Sequence, residues 1–293
     1  MGTGSAGVDI TDKAAVSRFM EQEKPDAVIH CAAYTAVDRA EEEPVLCRRI
    51  NRDGTQYIAD ACRDADAVMM YISTDYVFPG TGTVSYDTGN APDPVNMYGE
   101  TKWEGEKAVQ QSLSRFFIVR ISWVFGKTEI ILLRPCCVWG RQKRLNVVSD
   151  QVGSPTYTAD IAPLLADMIQ TDKYGLYHAC NGGTCSWAEL AREIFHERGW
   201  RRMFIPFPQM NILQKPNGPV IPGSADGRWK KRNLSCLNRG RTLSENIFMV
   251  IWDYKNYKRK NRQAGRQIPA CFYDMCKRSV LFIPADGDLV RSR

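Results

Sequence analysis

Three short runs in this chain are apolar almost without a break: Ala27–Ala33 (AVIHCAA), Ala67–Ser73 (AVMMYIS) and Phe116–Ser122 (FFIVRIS). A half-buried strand alternates polar and apolar residues, whereas a strand covered on both faces does not. The runs therefore read as strands of a parallel sheet. The segments between them have helical periodicity. Thr11 can cap a helix with Ala14, Val16, Phe19 and Met20 as its apolar positions, ending at Lys24-Pro25. Glu41 to Glu43 and Pro44 open a second helix, acid-first as the helix dipole prefers. It runs to about Ala65 with Val45, Leu46, Ile50, Ile58 and Cys62 facing inward. A third follows Asn96, an N-cap, and extends to about Leu113. Strand and helix alternate, so the fold class is α/β: a Rossmann-type doubly wound parallel sheet with helices on both faces.

In such a sheet, ligands bind outside the carboxyl ends of the strands. The run Ala67–Ser73 delivers Thr74, Asp75 and Tyr76 to that edge. A loop rich in Gly, Asp, Asn and Pro follows, too polar to pack, and the chain then enters the helix behind Asn96. Tyr98 and Lys102 stand four residues apart on one face of that helix. A phenol, with a pKa of roughly 10, is a poor acid or base near neutrality. An ammonium one turn away favours the phenolate, so the hydroxyl can exchange a proton with a substrate oxygen. The Thr74 hydroxyl can hydrogen-bond the same oxygen. An isolated Tyr-x-x-x-Lys is more often a surface tyrosine beside a solvated lysine. Its position after a strand ending in Ser-Thr-Asp is what turns the reading to catalysis. His30 and Cys31 read as core packing. Trp123, just past the third run, offers a flat surface with one donor, equally suited to core and to a sugar or base.

Gly2, Gly4 and Gly7 spell a formal G-x-G-x-x-G, which cradles a pyrophosphate only between a strand and a helix. Here only Met1 precedes it, and VDITD follows, resembling the end of a later strand and its turn. It is not read as a phosphate loop.

A chain of 293 residues, 44% hydrophobic and 25% charged, has the composition of an ordinary globular protein. No stretch approaches the ~18 apolar residues of a membrane span, and the N-terminus lacks the basic and apolar regions of a secretory signal. Ten cysteines without a C-x-x-C pair, beside three histidines, argue for reduced thiols in a cytoplasmic setting and against a zinc site. The net charge of +6 is unevenly spread. Residues 1–200 carry 20 Lys and Arg against 27 Asp and Glu, a balance of −7; residues 201–293 carry 19 against 6, a balance of +13. RWKKRN and YKNYKRKNRQAGR in that tail interleave bases with aromatics as a nucleic-acid surface does. Scattered Pro, Gly and Cys and the lack of a sustained amphipathic helix argue against that partner.

Taken together, YISTDYVF, NMYGETKWEGE and RISWVFG, with CAAYTAVDRAEEEP upstream and SDQVGSPTYTADIA downstream, carry a resemblance. Over about Val8–Lys127 and Leu145–Trp200 the chain resembles the extended, nucleotide-sugar branch of the short-chain dehydrogenase/reductases, and within it the dTDP-4-dehydrorhamnose reductases. The resemblance implies reduction of the C4 ketone of a dTDP-linked deoxysugar, dTDP-4-dehydro-6-deoxy-L-mannose to dTDP-L-rhamnose, by NADPH or NADH, with Mg2+ as an accessory ion and a homodimer as the assembly. It implies Tyr98, Lys102 and Thr74 as the catalytic set. Asp9 and Ile10 match adenosine-side positions; Ala33, Tyr34 and Thr35, with Tyr98 and Lys102, match the rest of the cofactor site. Thr74, Asp75, Tyr76 and Trp123 match substrate contacts, and Asp150, Gln151 and Ser154 to Thr156 look like the strand and turn that close over the substrate. A non-catalytic alternative is a dinucleotide-binding regulatory subunit resembling that of methionine adenosyltransferase.

In the resembling family the glycine loop lies a whole βα unit before Asp9–Ile10. The expectation is a sheet lacking its first βα unit, with an unpaired edge. It divides the chain into an incomplete dinucleotide-binding domain (1–144), a partial substrate lobe with the last sheet elements (145–200) and a basic, poorly organised tail (201–293). Within the lobe, Thr158 is expected to cap a helix with Ile161, Leu164, Leu165, Met168 and Ile169 on one stripe, LYHAC to form a strand, and Ser186 and Glu189 to form a capping box. Residues 128–144 and 201–293 depart from the family pattern abruptly, as shifts of reading frame would make them do.

Overall fold

A computed structural model describes residues 2–4, 7–81, 85–126, 144–197, 203–207 and 248–252. Strand β1 (Gly2–Gly4) precedes helix α1 (Lys13–Glu23). The cap of α1 is Asp12 rather than Thr11: its carboxylate accepts from the amides of Ala14 and Ala15, while Thr11 bonds back to Asp9. Lys24 ends the helix in the left-handed region, its amide bonded to Met20. Strand β2 (Ala27–His30) is followed by a short helix α2 (Val37–Ala40) and by α3 (Pro44–Arg48), which passes through a π-helical turn (Arg49–Gly54) into α4 (Thr55–Asp64). The buried stripe runs Cys47, Ile50, Gly54, Ile58 at spacings of three and four, so Val45 and Leu46, expected to face inward, lie off it and are 80% and 38% exposed.

Strand β3 (Val68–Thr74), helix α5 (Met97–Ser112) and strand β4 (Phe116–Ile121) follow as expected, with the Asn96 side chain accepting from Gly99 N at 2.7 Å. Beyond β4 come β5 (Val124–Phe125), β6 (Arg144–Val148), β7 (Val152–Gly153) and β8 (Thr156–Tyr157). Helix α6 (Thr158–Met168) has Tyr157 at its cap position and no side-chain cap, and Leu164 on its expected stripe is exposed. Strand β9 (Gly175–His178) and β10 (Cys185–Ser186) lead to α7 (Trp187–Glu197), whose capping box is present: Ser186 N donates to Glu189 and Glu189 N to Ser186 Oγ. Strands β11 (Met203–Phe207) and β12 (Phe248–Trp252) complete the described chain.

The main sheet has the order β1-β12-β2-β3-β4-β9. Strands β2, β3, β4 and β9 are parallel, as the apolar runs predict. The unpaired edge does not occur: β12 lies antiparallel along β2, Met249 opposite His30 through Trp252 opposite Ala27, and β1 pairs with its far side. The apolar FMVIW thus supplies backbone partners to β2 and covers an edge that would otherwise invite association. Strand β11 pairs in parallel with β6. At least these two parts of the tail are organised. The basic stretches of the tail, and residues 128–143, lie outside the described residues.

Helices cover both faces. Val16, Met20, Val28, Ile58, Met69, Tyr71, Val109 and Ile118 form one core with α1, α4 and α5. Ile29, Met70, Phe117, Val119, Ile161, Leu165 and Ile169 form the other with α6. Helix α5 is further tied to β4 by a buried ion pair: Arg120 Nε and Nη2 reach the two oxygens of Glu106 at 2.8 and 2.6 Å, and Ser73 Oγ donates to the same carboxylate at 2.5 Å. Both side chains are 2% exposed. Glu106→Ala should therefore destabilise the protein by about 3–5 kcal/mol, because it strands a buried guanidinium. The combined replacement Glu106→Leu with Arg120→Met should recover part of that loss in denaturant titrations.

Candidate active site

The carboxyl ends of β2 and β3 and the first two turns of α5 meet on one edge of the sheet. Two glycines permit the contact. A Cβ on Gly99 would collide with the Tyr76 carbonyl, and one on Gly105 would lie 2.5 Å from the Tyr71 hydroxyl and 2.7 Å from Asn51 O. Helix α5 therefore rests directly on the strand-end loop, and Thr74, Asp75, Tyr76 and Tyr98 converge.

Thr74 is 5% exposed and Asp75 1%. The Thr74 hydroxyl donates to Asp75 Oδ1 at 3.1 Å and accepts from Tyr76 N at 3.2 Å. The rings of Tyr76 and Tyr98 meet edge to face, centroids 5.5 Å apart. One turn further along α5, Lys102 is 2% exposed. Its Nζ donates to the Ile72 carbonyl at 2.7 Å and stands 4.0 Å from the centroid of the Tyr71 ring.

The electrostatics differ from the expected ordering. Burial pushes the Tyr98 phenol above its ordinary value; the nearby Thr74 hydroxyl opposes this, and the Asp75 carboxylate adds to it. Burial also lowers Lys102 to about 7, with Glu106 pulling the other way. Desolvation is the largest cause, so Tyr98 is held as a phenol, not as a phenolate. Asp75 is raised to about 7 by burial, and its Oδ2 has no partner among the described residues.

The expected cofactor-side residues lie along the β2 end of the same edge. Thr35 is exposed, Ala33 half-buried and Tyr34 buried. Tyr34 N donates to Asn51 Oδ1 at 2.7 Å, and its hydroxyl to Glu43 Oε2 at 2.6 Å; burial and Glu43 push that phenol up to about 12. Asp9 is exposed, and Ile10 is buried, packed against Gly54. Cys31, expected in the core, is exposed at this edge, while His30 is fully buried as expected. Trp123 is engaged elsewhere. It adopts a left-handed φ of 44°, is 8% exposed and stacks on Trp187 with centroids 3.6 Å apart, while its ring also packs against Gly153. Trp187 Nε1 donates to Gln151.

Three residues of this site carry no local motif. Asn51 bonds both backbone groups of Tyr34 and the Thr101 hydroxyl, clamping the β2 end to α5. Tyr71 floors Lys102, and Glu106 anchors the helix. Of these, only Glu106 had a visible signal, its spacing of four from Lys102.

The donor set fits the nicotinamide half of a dinucleotide: an ammonium, a phenol and an exposed strand end converge at the sheet edge where such groups bind. Helix α1 does not offer a phosphate cradle, because the Asp12 carboxylate already takes its first amides. Among the described residues no group of three His, Cys, Asp or Glu could hold a metal ion, so the expected Mg2+ finds no site there. No helix of the described residues is long and apolar enough to cross a membrane.

Fold and site together define a nucleotide-binding α/β oxidoreductase of the short-chain kind. Residues 1–216 match the sequence model of the RmlD substrate binding domain. The chain is similar to the dTDP-4-dehydrorhamnose reductase of Streptomyces griseus, 34% identical over 274 residues that span 91% of this chain and 87% of the relative. It is similar in structure to a dTDP-4-dehydrorhamnose reductase from Bacillus anthracis in complex with NADP, with a TM-score of 0.71, 36% identity, and 75% of this chain and 79% of that one covered. The corresponding protein from Clostridium acetobutylicum gives a TM-score of 0.74 and 33% identity, covering 78% and 86%. The chain belongs to the RmlD substrate binding domain family, that of the dTDP-4-dehydrorhamnose reductases. Nothing in these comparisons favours the regulatory-subunit alternative.

Burial of Asp75 has a measurable consequence. An unfolded Asp releases its proton near 3.8, whereas the folded protein holds it up to about 7. Folding therefore takes up a proton between these values, and stability falls as pH rises through that window. Relative to Asp75→Asn, wild type should lose on the order of a few kcal/mol between pH 4 and pH 7 and no more above it. A pH-independent difference between the two in urea unfolding would contradict the placement of this carboxyl.

Proposed function

We infer that the chain reduces the C4 ketone of a dTDP-linked 4-dehydro-6-deoxy sugar, forming dTDP-L-rhamnose from dTDP-4-dehydro-6-deoxy-L-mannose. The observation that carries the reading is the meeting of Thr74, Asp75 and Tyr76 at the end of β3 with Tyr98 on α5, the Tyr76 and Tyr98 rings standing edge to face and Lys102 following one turn along the helix. The family supports the substrate class, and the relative solved with NADP supports a nicotinamide dinucleotide. Tyr98, Lys102, Ala33, Tyr34 and Thr35 would hold its nicotinamide half, and Asp9 and Ile10 its adenosine side. When bound, NADPH or NADH supplies the hydride that C4 of the sugar requires.

The residues of the chain supply the rest. Tyr98 Oη gives its proton to the ketone oxygen as C4 is reduced. A phenol kept protonated by burial suits that direction, since reduction consumes a proton at the carbonyl oxygen. Thr74 orients the same oxygen by its hydroxyl. Lys102 offsets the charge left on Tyr98 once the proton has gone. Asp75 and Tyr76 face the substrate from the β3 end, and the buried surroundings strengthen each of these interactions.

The test is turnover and binding measured together on purified protein, with NADPH or NADH and the 4-dehydro sugar nucleotide. Tyr98→Phe should lower kcat by about 10²–10⁴-fold, the usual worth of a positioned general acid. It should leave binding of the sugar nucleotide nearly intact, because the ring supplies most of the packing. Lys102→Ala should lower kcat and weaken cofactor binding together. Unchanged turnover in Tyr98→Phe would discard the mechanism.

A further inference from the structure

Tyr71 takes no part in the chemistry described so far, yet the surroundings of Lys102 are built on it. It is fully buried on β3, two residues before Ser73. The Lys102 ammonium stands 4.0 Å over its ring centroid. The Tyr71 hydroxyl donates to the Lys102 carbonyl at 3.4 Å and lies near the Thr55 side chain. Thr55 Oγ1 in turn donates to Asn51 O at 2.7 Å and meets His30 Nε2 at 3.0 Å. The His30 ring stacks on Tyr71 with centroids 5.4 Å apart. Gly105 keeps α5 close enough for this, since any Cβ there would strike the Tyr71 hydroxyl.

We propose that Tyr71 is a positioning residue whose ring face seats the ammonium of Lys102, one turn along α5 from Tyr98. An ammonium has three donors and needs partners for them when buried. The Ile72 carbonyl takes one. Glu106, the nearest carboxylate on the same helix, is already shared by Arg120 and Ser73. The electron-rich face of an aromatic ring supplies the remaining attraction, and such a contact strengthens when desolvated. The stacked imidazole does not oppose it: burial and the Lys102 charge lower His30 to about 3, so that ring is neutral. The other groups facing Lys102 are Cys31 after β2 and Cys47 on α3, which add no positive charge.

The catalytic part of this proposal rests on the reading that Lys102 serves Tyr98; the seat itself does not. Both are tested on the full chain. The titration of Lys102 is followed by NMR of isotopically labelled lysine in the cofactor-free protein, assigned with Lys102→Met, and kcat is followed against pH with NADPH and the 4-dehydro sugar nucleotide. Tyr71→Phe keeps a ring and should hold the Lys102 midpoint in place. Tyr71→Leu should lower it by about one pH unit, since the charged form loses its partner. The alkaline limb of the kcat profile should move the same way. If Tyr71→Leu does not fold, a trifluorinated phenylalanine at position 71 keeps the shape and drains the ring face, and should lower the midpoint relative to Tyr71→Phe. Equal midpoints in the ring-bearing and ring-depleted variants would overturn the proposal. A shifted midpoint in a protein without turnover would support the seat and sink the reductase reading instead.

Discussion

The geometry of the carboxyl edge depends on the ion pair between Arg120 and Glu106. Removing two charges from water is costly, and such pairs rarely repay it in stability alone. This one is bidentate, receives a third donor from Ser73, and lies between the middle of α5 and the end of β4. It fixes α5 in rotation and in depth. Tyr98, Lys102 and Glu106 follow one another at intervals of four, so fixing Glu106 aims the other two. The Phe78 ring lies 4.9 Å from the Arg120 guanidinium and meets His178 edge to face, so the loop that carries Asp75 and Tyr76 is anchored to the same pair.

Much of the fold was legible because burial on both faces forces strands to be apolar throughout, and β2, β3 and β4 obey that rule. What escaped was non-local. Val45 and Leu46 turn outward because the stripe through Cys47, Ile50, Gly54 and Ile58 is the one that meets the sheet, and which of two neighbouring stripes does so is decided by the partner elements. The pairing of β12 with β2 joins residues more than two hundred positions apart, and nothing in FMVIW names its partner.

The same division holds for the site. Thr74, Tyr98 and Lys102, the residues proposed for the chemistry, were visible because they stand at fixed offsets from one strand end and one helix start, which the structure has where expected. Trp123 was visible as an indole after a strand, but not its stacking on Trp187, sixty-four residues on. Asn51 and Tyr71 look like ordinary members of a helix and a strand. Their roles exist only once α5 has been laid across them, because each acts through partners supplied by another element.

Burial also sets the direction in which the site is poised. A lysine beside a tyrosine suggests a lowered phenol and an easy base. Here desolvation acts on every group at once, raising Tyr98 and Tyr76, lifting Asp75 to about 7 and bringing Lys102 down to about 7. Each shift favours the neutral form, so near neutrality the edge holds protons on its acids and little net charge. Such an environment suits a neutral carbonyl about to become an alcohol: the acid is loaded beforehand, and the charge created by proton transfer appears beside a lysine that can still take up a proton. The cost is borne by folding, through the buried carboxyl of Asp75 and the buried ammonium of Lys102. That cost is what the proposed preorganised proton donor requires.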